Sequence, residues 1–181
     1  MSDTPNWLQQ ARDQWSNRGE SRPSFAVEPG PGQESVWDYP RPPAIRPDTR
    51  TIEVSGRTGL IAQADRSVKV CETSHPPTFY LPPEAIVEGA LHVVAGSSHC
   101  EWKGRAEYVA VTGTESPVGW RYPSPYPEFE AYAGWVSFYP DRVSCTVEGE
   151  TVAPQPGGFY GGWITRDVVG PFKGEPGSGA W

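Results

Sequence analysis

Three stretches of this chain carry residue types that could do chemistry. The first is ETSHPPTFYLP, residues 72–82. Glu72 closes a strand-like run, Ser74-His75-Pro76-Pro77 turns the chain, and Tyr80 lies just ahead of a rigid Pro82-Pro83. A carboxylate and a phenol on one wall make an acid–base pair, with Glu72 as acceptor or base and Tyr80 as donor. The competing reading is a structured turn with a hydrogen-bonded glutamate. The second stretch is SSHCEWKGRAEY, residues 97–108. Cys100 becomes a nucleophile if a histidine and a positive field lower its pKa. His99 is adjacent, but neighbouring side chains on extended backbone point apart. The partner would have to be His75 or His92, brought close by folding. The bland alternative is a buried, inert thiol. Lys103 either binds an anionic group or is solvated.

The third candidate is Arg41, in SVWDYPRPP, residues 35–43. A guanidinium offers a planar fork to carboxylates and phosphates. Fixed among Pro40, Pro42 and Pro43, it loses little entropy on binding. An internal salt bridge, to Glu72 for example, is the equal alternative. The Trp-x-Tyr-Pro of this stretch, Trp37 and Tyr39, recurs in VGWRYPSPYP as Trp120 and Tyr122. The two proline-stiffened arms read as paired walls of one cleft, with Arg41 as the charged tip.

Other chemistries lack their residues. No Gly-Lys-Ser/Thr follows a glycine loop, no glycine fingerprint joins a strand to a helix, and no Gly-x-Ser-x-Gly elbow occurs. There is no Cys-x-x-Cys, and His75, His92 and His99 form no His-x-x-x-His pair, so no metal site and no cofactor is expected. The net charge of -7 carries no basic stripe, which argues against nucleic acid. No run approaches the roughly 18 apolar residues needed to cross a bilayer, and the N-terminus has no basic, apolar leader. Cys71, Cys100 and Cys145, an odd and widely spaced set, fit a reducing compartment. The expectation is a cytoplasmic protein.

Short elements must position these residues. Residues 4–17 read as a helix, with Thr4 as cap, Pro5 in the first turn and Trp7, Leu8, Ala11 and Trp15 on one face. Residues 19–34 read as a Pro/Gly linker. From Thr51 onward, TIEV, LIAQ, SVKVCET, TFYL, LHVVA, RAEYVAVTG, WVSFYP and VSCTVE are strand-like runs bounded by Gly, Pro, Asp or Ser. RAEYVAV puts Ala106, Tyr108 and Ala110 on one face and Glu107, Val109 and Val111 on the other. Helical turns are expected at residues 83–91 and 127–133. The sum is a mainly antiparallel β domain, a sandwich or partly open barrel. The division is 1–34 as helix and linker, 35–150 as β core, and 151–181 as a Gly/Pro tail. That tail carries too many aromatics to be disordered and should lie in grooves of the core.

SVWDYPRPP, ETSHPPTFYLPPE, HCEWKGRAEY, GWRYPSPYP and WVSFYPDRV, in that order, resemble the bacterial domain-of-unknown-function family number four hundred and twenty-seven. The resemblance covers residues 35–147, and the ending GGFYGGWITRDVVGPFKGEPGSGAW resembles a tail carried by actinobacterial members. It implies a compact antiparallel β domain of the tent-like type. Relatives of that fold hold zinc with Cys-x-x-Cys pairs, which this chain lacks. The family carries a nucleotidyltransferase-type label. Here Gly96-Ser97 is followed by Glu107-Tyr108-Val109, without the second carboxylate that magnesium needs, so residues do not support the label.

Taken together, the residues point first to a small-molecule-binding domain. Trp37, Tyr39, Trp102, Trp120 and Tyr122 would wall an aromatic pocket, and Arg41, Glu72, Tyr80 and Lys103 would be its polar points for an anionic or zwitterionic ligand. The second reading is an enzyme using Cys100, or Glu72 with Tyr80, and binding an anion with Arg41 and Lys103. The third is an interaction module, a homodimer held by the helix and the tail.

Overall fold

A computed structural model describes residues 4–181. One helix, α1 (Asn6–Asp13), precedes fifteen short strands. In chain order these are β1 (Glu34–Ser35), β2 (Ala44–Asp48), β3 (Ile52–Gly56), β4 (Gly59–Ala64), β5 (Ser67–Cys71) and β6 (Thr78–Tyr80). Then come β7 (Leu91–Cys100), β8 (Gly104–Val111), β9 (Pro117–Arg121), β10 (Val136–Phe138), β11 (Ser144–Val147) and β12 (Glu150–Thr151). The last are β13 (Ala153–Pro154), β14 (Trp163–Ile164) and β15 (Val168–Val169). Three antiparallel sheets do most of the work, in the orders β10-β9-β8-β7, β12-β11-β3-β4 and β2-β5-β6. Leu81 and Val136 exchange backbone hydrogen bonds of 2.8 and 2.9 Å, which ties the three-stranded sheet to the β10 edge. This is a mainly β fold of packed sheets, as the run of Val-, Thr- and Tyr-rich segments requires.

The sheets bury two apolar layers. The larger holds Ile52, Val54, Ile61, Phe79, Leu81, Val109, Phe138 and Val147, and Trp163 from beyond β13. Trp163 is fully buried, stacks on Phe79 at 5.0 Å and donates its indole N–H to Phe138 O at 3.0 Å. The second layer is aromatic: Tyr80, Trp120, Tyr122, Phe129 and Tyr139 over Val68 and Val70. The period of two divides neighbours between layers, Phe79 to the first and Tyr80 to the second, Val109 to the first and Tyr108 to the second.

Two strands depart from the expected pattern. β2 contains Pro47, but it lies at a sheet edge, where a missing N–H costs no ladder bond. β9 was read as part of a rigid arm; it is instead a central strand between β8 and β10. Its Gly119 lies where a Cβ would overlap the Ser137 carbonyl, so the glycine marks close strand approach, not a loop. The helix is shorter than expected, Asn6–Asp13, with Pro5 rather than Thr4 at the N-cap. Leu8 is buried, Trp7 is exposed, and Trp15 lies past the end. Of the two expected helical turns, Pro127–Tyr132 forms as a 3-10 turn and the first shrinks to Pro83–Ala85.

Candidate functional site

The aromatic layer does not close over itself. Above it opens a cavity of about 320 Å³. Val70, Tyr80, Tyr108, Trp120, Tyr122 and Tyr139 form the floor. Glu72 and His75 enter from the turn after β5, and Cys100 and Lys103 from the β7–β8 hairpin. Thr78, Ser98, His99, Glu101, Pro117 and Arg142 add to the rim, and a further wall comes from outside the sheets: Trp15 from the N-terminal segment, and Gln155 with Gly158–Gly161 from the tail. Gly161 lies flat on the Trp120 ring, where any Cβ would overlap it.

The hairpin explains how Cys100 and Lys103 share a wall. Cys100 pairs with Gly104 across a loop of only Glu101-Trp102-Lys103. Gly104 takes a positive φ of 97° that closes the loop and folds Lys103 back toward the Tyr122 ring, 5.8 Å away. Burial opposes charge on Lys103, but Cys100, Tyr80 and Glu72 around it outweigh that and hold the ammonium above the ordinary lysine range. Among the described residues no carboxylate comes within 4.0 Å of it.

Glu72 has one oxygen committed. Its Oε1 accepts from Arg41 Nε at 3.0 Å, while Oε2 has no partner among the described residues. Burial presses the carboxyl up; nearby positive charge, from His75 when protonated and from Lys103 and Arg41, holds it below the usual carboxylate range. Tyr80 Oη accepts from Trp120 Nε1 at 3.1 Å, and burial raises its pKa, so its own proton stays in place as a donor. His75 is kept neutral: burial takes it down to about 4.

Arg41 is not on the cavity. Its side chain is fully buried, and besides Glu72 it donates to Asn17 O (3.1 Å), Thr73 O (3.1 Å) and Trp181 O (3.3 Å). Its guanidinium also lies 4.7 Å from the Trp15 ring. Of the two readings for this residue, the geometry is that of the internal salt bridge. The first aromatic arm is elsewhere too. Trp37 packs with Phe25 and Trp181 and donates to Pro171 O at 3.1 Å; Tyr39 donates to Glu34 Oε2 at 2.8 Å. They belong to a third cluster with Val36 and Val168. The two Trp-x-Tyr-Pro stretches are therefore not facing walls. Trp120 and Tyr122 line the cavity, whereas Trp37 and Tyr39 seat the chain ends. Trp102 is also outside: it is buried beneath Arg12, 5.2 Å from the ring.

Glu72, Tyr80, Cys100, Lys103, Trp120 and Tyr122 are thus brought together from the sequence-based set. Of the two histidines suggested as partners for Cys100, His75 lines the cavity that Cys100 lines and His92 does not. His99 also reaches the cavity and bonds Tyr126 Oη at 2.9 Å, whereas His92 approaches Glu115 at 3.7 Å. Tyr139, Tyr160 and Gln155 were missed. Tyr160 meets the His75 ring edge-on at 4.7 Å, and its signal was the aromatic excess of a glycine-rich tail. Gln155 had no sequence signal. Among the described residues no group of three His, Cys, Asp or Glu is placed to hold a metal ion. Gly96-Ser97 lies within β7 at a bulge, and Glu107 is paired with Arg121 at 3.2 Å, so no magnesium-type carboxylate pair forms there.

A family model described as "Domain of unknown function (DUF427)", with the label NTP_transf_9, matches residues 44–149. No curated protein matches the chain. The matched segment supplies the floor and the hairpin, while Trp15, Gln155 and the glycine-flanked Phe159-Tyr160 lie outside it.

Proposed function

The chain belongs to the DUF427 family, and we propose that this member binds a small anionic or zwitterionic molecule in the cavity above its aromatic layer. One observation carries the reading. Lys103 brings an ammonium without a carboxylate partner to the same cavity into which Glu72 brings a free Oε2. Buried charge is costly when unpaired, so a ligand with an anionic end for Lys103 and a donor for Glu72 would satisfy both. The volume falls at the low end of small-molecule sites, which run about 300–1,000 Å³. The aromatic floor offers flat faces to the ligand body.

The test is a thermal-shift screen with amino acids, organic acids and nucleotides, followed by the best hit on Lys103→Met. The expected result is a shift for a carboxylate-bearing or zwitterionic compound that disappears in Lys103→Met. No shift across the panel, or a shift untouched by the substitution, would overturn the proposal.

A second reading rests on Cys100, which lines the same cavity as His75 and Lys103. In it Cys100 is a nucleophile toward the bound molecule and Lys103 holds that molecule's anionic end beside it. Adduct formation on Cys100 by a weak anionic electrophile, slowed at least tenfold by Lys103→Met, is the expected outcome. An equal rate in the two proteins rules out this reading.

A further inference from the structure

His75 and Gln155 together settle a proton. Gln155 is 3% exposed and lies in the tail, beyond the residues that match the family. Its side-chain amide is held at both ends. Oε1 accepts from the Gly162 N–H at 3.1 Å, and Nε2 donates to Lys173 O at 2.8 Å. The second hydrogen on Nε2 faces His75 Nδ1 at 2.9 Å. Turning the amide over would set its nitrogen against the Gly162 N–H and its oxygen against the Lys173 carbonyl. Both contacts would be repulsive, so the orientation is fixed by its neighbours. Gly162 makes the fit possible, because a Cβ there would overlap both Gln155 Oε1 and Pro76.

An amide nitrogen can only donate, so His75 Nδ1 must accept. A neutral imidazole that accepts at Nδ1 carries its proton on Nε2. That nitrogen has no partner among the described residues, and His75 lines the cavity. Tyr160, edge-on to the ring, limits its rotation.

We propose that Gln155 is a positioning residue that holds His75 in the Nε2–H tautomer, so that His75 is a donor to the cavity and the ligand group it meets is a hydrogen-bond acceptor, an oxyanion such as a carboxylate. The tautomer stands on the protein's own contacts; the ligand half rests on the cavity being the binding site. Around His75 the Lys103 ammonium, the Tyr80 hydroxyl and His75 Nε2 donate and Glu72 Oε2 accepts, while Glu101, whose Oε1 accepts from Trp15 Nε1 at 2.7 Å, and Arg142 also line the cavity. His75 keeps this role at neutral pH because burial lowers its pKa to about 4. Glu72 works against that shift, and Arg41, Lys173 and Lys103 work with it.

The experiment is nitrogen NMR on protein labelled with ¹⁵N-histidine at pH 7. With three histidines in the chain, a His75→Asn spectrum assigns the signals. Expected for His75 are an unprotonated Nδ1 and a protonated Nε2 in slow exchange with water. The opposite tautomer, or a mixture of the two, would overturn the assignment, and this arm needs no variant of Gln155. In Gln155→Glu a carboxylate replaces the donor, and the proton is expected to move to Nδ1 or to occupy both nitrogens. A folded Gln155→Glu protein whose His75 keeps a bare Nδ1 would remove Gln155 as the cause.

Titration with acetate, glycine and inorganic phosphate then probes the ligand half. A saturable shift of the Nε2–H signal is expected with acetate or glycine. If thermal-shift ligands bind and that signal stays still, the acceptor assignment fails while the binding site stands. If nothing binds, the site fails and the tautomer is still decided by the first arm.

Discussion

Replacing Arg41 by alanine should destabilise this protein strongly. The guanidinium is fully buried and its acceptors are Glu72 and the carbonyls of Asn17, Thr73 and Trp181. Removing it strands a carboxylate that is only 17% exposed. Breaking a buried pair from one side costs about 3–5 kcal/mol. Thr73 is fully buried, so its carbonyl gains no water in exchange. A loss of about 4 kcal/mol is expected at pH 7, large against typical domain stabilities of about 5–15 kcal/mol. Urea unfolding followed by tryptophan fluorescence reads it directly. Adding Glu72→Gln should recover about 1–3 kcal/mol of the loss, because the stranded charge is then gone. The pH dependence has a definite sign. In the native protein the Glu72 carboxyl is held below its ordinary range, so its contribution is present above that range and is lost as pH falls. Without Arg41 the same carboxyl rises, and protonating it relieves the burial. The gap between the two proteins should therefore narrow as pH drops through the carboxylate range. A loss under about 1 kcal/mol at pH 7, or a gap that widens in acid, would refute the reasoning.

Three further outcomes are expected. Iodoacetamide on the folded protein should label Cys100 first, since Cys71 and Cys145 are buried, with thiols pushed up to about 11 and about 12 by that burial; peptide mass spectrometry showing either of those faster would contradict it. Gly161→Val should cost about 1–3 kcal/mol by overpacking and change tryptophan emission, because its side chain must displace the Trp120 ring; an unchanged melting temperature and spectrum would count against the packing described. His75 must gain a proton on acid unfolding, from about 4 in the folded protein against 6.5 ordinarily. The unfolded chain binds more protons between those values, so stability should rise with pH across that window by on the order of 3 kcal/mol. His75→Leu should flatten that slope, as seen in denaturant midpoints at stepped pH.

What the residues disclosed follows from the range of the physics behind them. Period-two runs such as RAEYVAV are local, and the alternation of Tyr108 and Val109 between two layers could be read directly. β9 was hidden because Pro117 and Gly119 look like loop residues when the strand is seen alone. Only its partners β8 and β10 explain the glycine. For Arg41 the sequence left a ligand anchor and a salt bridge equal. The choice depends on Asn17, Thr73 and Trp181 converging from three distant parts of the chain. The repeated Trp-x-Tyr-Pro misled because a shared tetrapeptide fixes local stiffness, not address. Trp37 faces Phe25 and Trp181, whereas Trp120 faces Tyr80 and Tyr139. Gln155 could not have been found by residue type at all. A glutamine acquires meaning only from what its two ends touch.

The division of the cavity between the matched segment and the chain ends has a consequence for how such proteins could diversify. Residues 44–149 provide a fixed basin, with its aromatic floor, Glu72, Cys100 and Lys103. Trp15, Gln155 and Phe159-Tyr160, outside that segment, complete its wall. Chains sharing the basin but ending differently would keep Glu72, Cys100 and Lys103 and enclose a cavity of different shape. Grafting one such wall onto another basin would then transplant selectivity without touching a residue of the sheets.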